Sequence, residues 1–215
     1  MKPLFSVAFF PPIEFFLVAM KNDLIFIEAI ENYQKQSYRN RCNILTANGK
    51  MALSIPICHV QSKMAIRNVK IDYKTDWQRK HWRAIESAYN ESPYFQYYAD
   101  FFAPFFEKKW EFLFDYNIEI LQIIFNLLKV KTKIIYTEDY VKNDKNTIDY
   151  RHRIHPKRNE EENYPLRITL PYSQVFDYKF GFTSNLSILD LIFNMGNESA
   201  LYLFPNLTFE NLCRF

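Results

Sequence analysis

The first 28 residues alternate between apolar and polar blocks in an order typical of a strand, a helix and a second strand. Residues 4–9 are almost entirely apolar and end at Pro11 and Pro12, which predicts a buried strand followed by a turn. Pro12 fits the first turn of a helix over residues 13–20, because that turn leaves its N–H groups unbonded. Another apolar block at residues 24–28 predicts the next strand. The strand, helix and strand then form a βαβ unit with two parallel strands.

The rest of the chain carries a β-hairpin signal and then mainly helical periodicity. Asn48 and Gly49 are the turn signature between two alternating segments, residues 39–46 and 51–57. Further patterns predict a strand over 64–72, helices over 77–90, 94–106 and 110–129, a strand over 131–136, short edge segments over 167–170 and 174–176, a helix over 188–194 and a final turn over 197–204. We therefore predict an α/β or α+β fold, in which an N-terminal βαβ unit with a mixed sheet and a β-hairpin precedes a mainly helical C-terminal half.

Composition divides this predicted single domain, residues 1–215, into four parts. Residues 1–75 form the α/β part and residues 76–136 the mainly helical part. Residues 138–163 are rich in Asp, Asn, Lys, Arg and Glu, and residues 164–215 form a C-terminal segment. The polar stretch has the length of a loop that either covers a site as a lid or is disordered. The sequence leaves both alternatives open.

The densest polar stretch, residues 28–44, begins where the second predicted strand ends. Open α/β sheets bind their ligands at the carboxyl ends of the strands, so we expect a site for a polar or anionic ligand here. The residues predicted to bind this ligand are Asn32, Tyr33, Lys35, Arg39, Asn40 and Arg41.

Lys35, Arg39 and Arg41 are the predicted anion-binding group. Side chains two residues apart share a face of a strand, so Arg39 and Arg41 are expected to point the same way. Two guanidinium groups on one face can hold a phosphate or a carboxylate by bidentate hydrogen bonds. The alternative is a solvated strand face whose cations form salt bridges with Glu28 or Glu31.

Three residues are predicted to transfer protons. His81 lies on the predicted helix over 77–90, and an imidazole titrates near neutrality. Glu14 follows the proline turn and Glu31 follows the second strand, so a βαβ unit would bring their carboxylates to one crevice. The alternatives are a packing role for His81 and a helix-start charge for Glu14. Cys42 alternates away from the arginines and is expected to be a buried structural thiol rather than a nucleophile.

Composition excludes several other classes of protein. The chain has only three glycines, far apart, which excludes a glycine-rich phosphate loop and a classical dinucleotide fingerprint. A net charge of +3 is too small to indicate a nucleic-acid binder. Three scattered cysteines, without a CxxC motif or a His-rich metal-ligand spacing, indicate a reduced, cytoplasmic protein without a metal site. No apolar stretch is long enough to span a bilayer, so no transmembrane segment is expected.

Several blocks of the chain resemble the WbqC-like protein family. They are residues 9–16, Glu28 with 31–42, 53–56, 81–85, 92–95, and 181–182 with 185–194. One departure is that Ser6 and Val7 stand where many members have a Gln-Pro dipeptide. The resemblance implies a bacterial protein of surface-polysaccharide (O-antigen-type) biosynthesis. It also implies sugar modification, including transfer of an amino-acyl or other acyl group to an amino sugar.

The N-terminal order of elements invites a second, purely topological analogy. Nucleotidylyl-transferring α/β folds also begin with a strand, a proline-bearing turn, a helix and a strand that ends in an acidic residue. The pair of histidines customary in that turn is absent from this chain. The analogy therefore supports the predicted topology rather than an activity.

These observations together predict an enzyme, a transferase or ligase-like protein that modifies a nucleotide-activated or amino sugar. Its expected partner is a nucleotide sugar or another phosphorylated small molecule, and no cofactor is evident except Mg²⁺ if a nucleoside triphosphate is used. The alternative is a non-catalytic binding or scaffold protein of a polysaccharide assembly system. An enzyme would bring His81, the arginines and at least one carboxylate into one crevice, whereas a scaffold would expose an aromatic patch. The sequence does not predict the oligomeric state.

Overall fold

A computed structural model describes residues 1–60, 63–142, 146–157 and 170–204 of the 215-residue chain. The strands are β1 (Lys2–Ser6), β2 (Leu24–Glu28), β3 (Arg41–Thr46), β4 (Gly49–Ser54), β5 (Lys133–Tyr136) and β6 (Thr147–Asp149). The helices are α1 (Ile13–Ala19), α2 (Trp77–Tyr89), α3 (Phe95–Glu107), α4 (Leu113–Leu127), α5 (Asp177–Phe180), α6 (Ile188–Met195) and α7 (Ser199–Leu203). Short 3₁₀ turns lie at Ile66–Asn68 and Gly196–Glu198.

Four parallel strands form the main sheet, in the order β5-β2-β1-β6. In the pairing of β1 with β2, Leu4 lies opposite Phe26, and on the other side of β1 the same Leu4 lies opposite Asp149 of β6. Helix α1 connects β1 to β2, which confirms the predicted βαβ unit. Because all four strands are parallel, their carboxyl ends meet at the same edge of the sheet.

The β-hairpin is a separate two-stranded antiparallel sheet, β3 and β4. Its register runs from Arg41 opposite Ser54 to Thr46 opposite Gly49. Gly49 has a φ of 97°, a conformation that favours glycine because other residues are strained there. The predicted hairpin is confirmed, but β3 begins at Arg41, so Arg39 precedes the strand and does not share a strand face with Arg41.

The mainly helical half follows as predicted, and aromatic rings pack it onto the segment after β1. The Phe10 ring stacks on Phe106 at a centroid distance of 6.1 Å and meets Phe102 edge-on at 5.5 Å. Phe193 of α6 contacts Phe102 at 5.9 Å. One hydrophobic core therefore joins the sheet, the hairpin and the helices. Within the described ranges, no helix combines the length and apolarity needed to cross a membrane.

Residues 64–72 do not form the predicted strand. They contain the 3₁₀ turn Ile66–Asn68, and an isolated bridge places Ala65 opposite Asn32. Ile66 and Val69, both fully buried, are three residues apart, which is the period of a 3₁₀ turn rather than of a strand. The prediction was wrong because an apolar spacing of three was interpreted as an alternation of two.

The polar stretch at residues 138–163 contributes a strand to the sheet and is not only a loop. Residues 143–145 and 158–163 lie outside the described residues, but Thr147–Asp149 form β6 and pair with β1. Of the two predicted edge segments, 167–169 lie outside the described residues, and residues 174–176 form no strand. The sheet is therefore wider than the sequence pattern indicates.

Candidate functional site

The candidate site lies at the edge of the parallel sheet where all four strands end. Ser6 ends β1, Glu28 ends β2, Thr137 directly follows β5, and Asp149 ends β6. We call this edge, defined by these four residues, the carboxyl edge. Open α/β sheets bind their ligands at such an edge, because the loops there are free to carry polar side chains.

Arg39 and Glu31 form a buried ion pair at the carboxyl edge. The Arg39 Nε donates to Glu31 Oε1 at 2.9 Å, and the Arg39 NH2 group donates to the other carboxylate oxygen. NH2 also donates to Ser6 Oγ at 2.7 Å, which ties the pair to the end of β1. The Arg39 side chain is only 2 % exposed. Arg39 therefore forms the salt bridge to Glu31 that the sequence analysis gave as an alternative. The pair is buried inside the protein and does not lie on a solvated face.

Arg151, itself buried, forms a second ion cluster at the same edge with buried Glu28 and half-buried Asp149. Its NH1 donates to Glu28 Oε2 at 3.0 Å, and its NH2 donates to Asp149 Oδ2 at 2.7 Å. Glu28 also accepts hydrogen bonds from the Thr137 hydroxyl and, at 2.9 Å, from the Val141 N–H. Burial alone would raise the pKa of Asp149, but hydrogen bonds from Arg151 outweigh that effect and lower it. The cluster therefore holds the ends of β2, β5 and β6 together.

A small recess opens at the carboxyl edge, between β1 and the segment that follows β6. Its cavity volume is about 10 Å³, roughly the space that one water molecule needs. The apolar side chains that line it are Phe5, Val7, Ala8, Phe15 and Ile154, and the polar ones are Ser6, Tyr38, Arg39 and Tyr150. The recess therefore has room for little more than one water molecule.

Tyr33 and Arg41 lie close enough to Arg39 to form one electrostatic neighbourhood. Burial raises the pKa of Tyr33, and the charges of Arg39 and Arg41 lower it only in part, so its hydroxyl is neutral. Arg41 is half-buried, and its Nε donates to Ser54 Oγ at 3.2 Å. Two of the predicted anion-binding residues therefore share a region, but Arg39 is already paired with a carboxylate.

The remaining residues predicted to bind the ligand differ in their exposure. Asn40 is half-buried, and its side-chain amide donates to the Ile55 carbonyl at 2.9 Å. Lys35 and Asn32 are exposed. The Asn40 side chain therefore links the segment before β3 to the residue after β4. Lys35 and Asn32 lie on the surface of the loop between β2 and β3.

Glu14 is buried on α1 and acts electrostatically on Tyr38. The Glu14 backbone N–H donates to Asn185 Oδ1 at 3.1 Å, which fixes the first turn of α1. Burial raises the pKa of Tyr38, and the charge of Glu14 raises it further, so the Tyr38 hydroxyl keeps its proton at neutral pH. Tyr38 lines the recess and Glu14 does not.

His81 lies in the aromatic core on α2 rather than at the carboxyl edge. Its ring packs against Trp77 at a centroid distance of 5.2 Å and against Phe9 at 6.3 Å. Burial lowers the pKa of His81 from 6.5 to about 4, and its Nδ1 has no hydrogen-bond partner among the described residues. The imidazole is therefore neutral at physiological pH and serves packing. The contacts of His81 described here are with aromatic rings, and they do not bring it together with Arg39 and Glu31 in one crevice.

Cys42 is fully buried in the hydrophobic core. Burial raises the pKa of its thiol, although a hydrogen bond with Ser187 opposes the effect. A thiol that resists deprotonation is a poor nucleophile. This environment matches the structural role expected from the sequence.

The segment after β6 supplies site residues that the sequence analysis did not assign. Tyr150 and Ile154 line the recess, and Arg151 carries the second ion cluster. His155 is half-buried, and its Nδ1 accepts the Lys157 N–H at 3.2 Å. Burial lowers the pKa of His155 and the charge of Arg39 lowers it further, so His155 lies within electrostatic range of the Arg39–Glu31 pair.

Comparisons with known proteins include a family match whose range covers this region. A sequence profile described as the WbqC-like protein family matches residues 7–164, a range that contains both ion clusters. Uncharacterized protein Rv1507c of Mycobacterium tuberculosis is 30 % identical to the chain over 212 residues, covering 88 % of this chain and 90 % of that protein. No solved structure shows significant similarity to the chain.

Proposed function

Because this chain belongs to the WbqC-like protein family, we propose that it is an enzyme that modifies a nucleotide-activated or amino sugar in the biosynthesis of a bacterial surface polysaccharide. The proposed reaction is of the transferase or ligase-like type, with transfer of an acyl or amino-acyl group as its specific form. The proposed compartment is the cytoplasm. Mg²⁺ takes part in this proposal only if the donor is a nucleoside triphosphate.

The observation that carries the proposal is the concentration of buried charge beside a recess at the carboxyl edge. Two arginines, Arg39 and Arg151, hold three carboxylates there. Buried ion pairs add little to stability, because the loss of hydration offsets most of the attraction between the charges. Their position at the edge where α/β sheets bind ligands therefore supports a functional role.

In this proposal, Arg41, Lys35 and Tyr33 contact the phosphate groups of the substrate. The hydrogen bond found for the Arg41 side chain among the described residues uses one of its five N–H donors. Lys35 is exposed and is therefore open to an incoming anion. Asn32 and Asn40 are assigned to the hydroxyl groups of the sugar.

Proton transfer is assigned to carboxylates rather than to His81. Glu31 lies at the carboxyl edge in direct contact with Arg39. Glu14 is proposed to act indirectly, because its charge raises the pKa of Tyr38, a residue that lines the recess. His81 receives no such role, because its imidazole is packed between aromatic rings.

A thermal-shift screen tests the proposal. We would measure the melting temperature with nucleotide sugars, acyl-coenzyme A and nucleoside triphosphates, the last with and without Mg²⁺. A ligand that binds only the folded protein raises the melting temperature, and we expect Arg41→Ala and Lys35→Ala to reduce that rise by at least half. The control is Arg79→Ala, which removes an exposed cation on α2 that pairs with Asp76. No rise with any ligand, or an equal rise in all variants, would refute the proposal.

An exposed aromatic face on α3 favours the second candidate function, a scaffold of a polysaccharide assembly system. Tyr97 is 74 % exposed and Phe101, one helical turn later, is 48 % exposed. Large exposed apolar groups that share a face are typical of a binding surface. Complementation of a deletion strain separates the two candidates. The scaffold hypothesis expects Tyr97→Ser with Phe101→Ser to abolish polysaccharide production, whereas the enzyme hypothesis expects this from Arg41→Ala.

A further inference from the structure

Strand β5 forms an open edge of the parallel sheet. Among the described residues it pairs only with β2, and it lies at one end of the strand order β5-β2-β1-β6. Ile135 is 43 % exposed, and Tyr136 and Tyr140 are 38 % and 49 % exposed. An exposed apolar edge strand offers its N–H and C=O groups to another strand. We propose that β5 pairs with β5 of a second copy of this chain, antiparallel and around a two-fold axis, so that the four strands of each copy join into one continuous sheet.

The outward hydrogen-bonding groups of β5 belong to Ile134 and Tyr136. The N–H groups of residues 133 and 137 donate to carbonyls next to or within β2, at 2.9 and 3.1 Å. Alternate residues of a strand bond to the same neighbour, so the residues between them face the open edge. An antiparallel second copy uses both N–H and both C=O groups when Ile134 lies opposite its Tyr136. This register places Ile135 opposite Ile135 of the second copy, on the two-fold axis.

The side chains that this register brings together are complementary. The two copies of Ile135 meet across the axis as a non-hydrogen-bonded pair, with their Cα atoms about 4.5 Å apart. On the other face of the strand, Tyr136 lies opposite Ile134 of the second copy. Pairs of an aromatic and a β-branched side chain stabilise neighbouring strands. Pairing therefore buries the apolar surface that Ile135 and Tyr136 expose in the single chain.

The exposed charges next to β5 are separated by sign along the chain. The exposed lysines at the amino end of the strand are Lys129, Lys131 and Lys133. The exposed residues Glu138 and Asp139 follow its carboxyl end. One end of the edge is therefore positive and the other negative. A copy turned round by a two-fold axis brings each end to the end of opposite sign, which favours association.

Helix α4 adds to the same separation of charge. It begins beside the carboxyl end of β5, where the Phe114 ring contacts the Tyr136 ring at a centroid distance of 5.8 Å. Asp115 and Glu119, both exposed, lie near this beginning and one helical turn apart, so they share a face. Two exposed residues have the opposite sign without reversing the excess at either end, namely Asp23 before β2 and Lys142 after Val141.

The order of charges selects antiparallel pairing of two identical strands. Lysines on an edge strand usually prevent pairing, and parallel pairing of two copies would place Lys131 and Lys133 against the same lysines. The antiparallel register, continued past the strand ends, instead brings them to Glu138 and Asp139 of the second copy. Opposite charges across a strand pair stabilise it, whereas like charges destabilise it. The backbone groups and the side-chain charges therefore select the same arrangement independently.

Cross-linking at the two-fold axis tests the register on the full-length chain. In a background with Cys58→Ser and Cys213→Ser, Ile135→Cys places two thiols opposite each other, at a Cα distance that a disulfide spans. Lys133→Cys is the matched control, because its two copies lie about 14 Å apart in this register. Under mild oxidation, Ile135→Cys should form a covalent dimer at least about ten times faster than Lys133→Cys, as seen on non-reducing gels. Equal rates would contradict the register.

Sedimentation velocity measures the association directly. A contact of this size should have a dissociation constant of about 1 to 50 μM. At about 200 μM the unmodified protein should therefore sediment with twice the 26.0 kDa mass of one chain. Ile135→Lys places like charges against each other on the axis and should weaken association at least about tenfold. Phe101→Lys changes an apolar residue on α3 of similar exposure and should associate like the unmodified protein.

Two charge variants test the antiparallel arrangement by mixing. Lys131→Glu with Lys133→Glu makes both ends of the edge negative, and Glu138→Lys with Asp139→Lys makes both ends positive. Each variant alone should associate at least about tenfold more weakly than the unmodified protein, because like charges then meet. An equal mixture of the two should form a heterodimer about as tightly as the unmodified protein associates. A mixture that associates no better than its components would contradict the pairing of opposite ends.

The proposed dimer is overturned if the protein is monomeric at about 200 μM, or if Ile135→Lys associates as tightly as the unmodified protein. Circular dichroism checks that each variant is folded, and if Ile135→Lys is not, the mixing experiment decides. Association that is lost in Phe101→Lys but kept in Ile135→Lys would place the contact on α3 instead. None of these measurements involves a nucleotide sugar, so their failure and the failure of the proposed function are distinguishable.

Discussion

Replacing Arg39 by alanine should destabilise the protein strongly, and a compensating change at Glu31 should restore most of the loss. Arg39 and Glu31 are both nearly inaccessible to solvent, with side chains 2 % and 5 % exposed. Arg39→Ala leaves the Glu31 carboxylate buried without its cation and leaves Ser6 Oγ without the guanidinium donor. The double change Glu31→Leu with Arg39→Met replaces the pair by apolar side chains of similar length.

The two changes should differ by several kcal/mol in the free energy of unfolding. Removing one partner of a buried pair costs about 3 to 5 kcal/mol, whereas replacing the whole pair by apolar residues is close to neutral or stabilising. For a domain of this size, 1 kcal/mol corresponds to about 2 to 4 °C in the melting temperature. Arg39→Ala should therefore lower the melting temperature by about 6 to 20 °C, while the double variant should melt near the wild type.

Urea unfolding followed by circular dichroism measures both effects, with thermal melting as a second readout. The matched control is Lys70→Ala, since the Lys70–Glu111 pair is 55 % and 62 % exposed and its loss should not measurably change stability. This expected loss of stability is refuted if Arg39→Ala unfolds at the same urea concentration as the wild type. It is also refuted if the double variant is as unstable as the single one, because the cost would then not come from an unpaired Glu31.

Three further predictions concern other parts of the fold. Because the pKa of His81 is about 4 in the folded protein and about 6.5 when unfolded, the unfolded chain binds more protons between these values. The free energy of unfolding should therefore fall as the pH drops. Measured by urea unfolding between pH 7 and 5, this fall should be about 2 kcal/mol larger in the wild type than in His81→Phe. An equal fall in both proteins would contradict the prediction. Gly196→Ala adds a Cβ 2.5 Å from an aromatic ring at a φ of 53° and should cost about 2 to 5 kcal/mol. Gly181→Ala, at a φ of 66° with no neighbouring atom within 4 Å, should cost only about 1 to 2 kcal/mol. Equal melting temperatures of the Gly196→Ala and Gly181→Ala variants would contradict a close contact between residue 196 and the aromatic ring. In native protein, iodoacetamide followed by peptide mass spectrometry should modify exposed Cys58 and leave buried Cys42 unmodified until the protein unfolds; rapid labelling of Cys42 would refute its burial.

The elements that the sequence predicted correctly are those with strong local signals. The prolines after β1 and the apolar blocks on either side define the βαβ unit within 28 residues. Asn48 and Gly49 define the hairpin turn by their backbone preferences alone. Neither signal depends on residues far away in the sequence. Such elements are therefore accessible without a structure.

Strand β6 could not be predicted, because its stability comes from a distant partner. It has three residues, of which only Ile148 is strongly apolar, and it lies in a stretch dominated by charged side chains. Its pairing with β1 spans more than 140 residues of sequence. Without β6, the position of Arg151 and of the recess wall cannot be foreseen.

The sequence predicted which strand ends meet at the carboxyl edge, but not the environment of each side chain there. The end of β2 and the loop that follows do meet the other strand ends at one edge, as the rule for α/β sheets indicates. The environment of each side chain depends instead on tertiary contacts. Arg39 was expected on an open strand face, but β3 begins two residues later, and Arg39 turns inward to Glu31. His81 shares a buried helix face with Ile85, and this face packs into aromatic residues rather than into the site.

Hydrogen–deuterium exchange with and without nucleotide sugars tests most directly whether the carboxyl edge binds the substrate. The probes are saturating UDP-, GDP- and dTDP-sugars, each compared with the free protein by mass spectrometry of peptides. We expect that at least one of them slows exchange in residues 28–41 and 147–157, and that this protection is lost in Arg41→Ala. Protection centred on the exposed face of α3, or no protection with any of the probes, would contradict it.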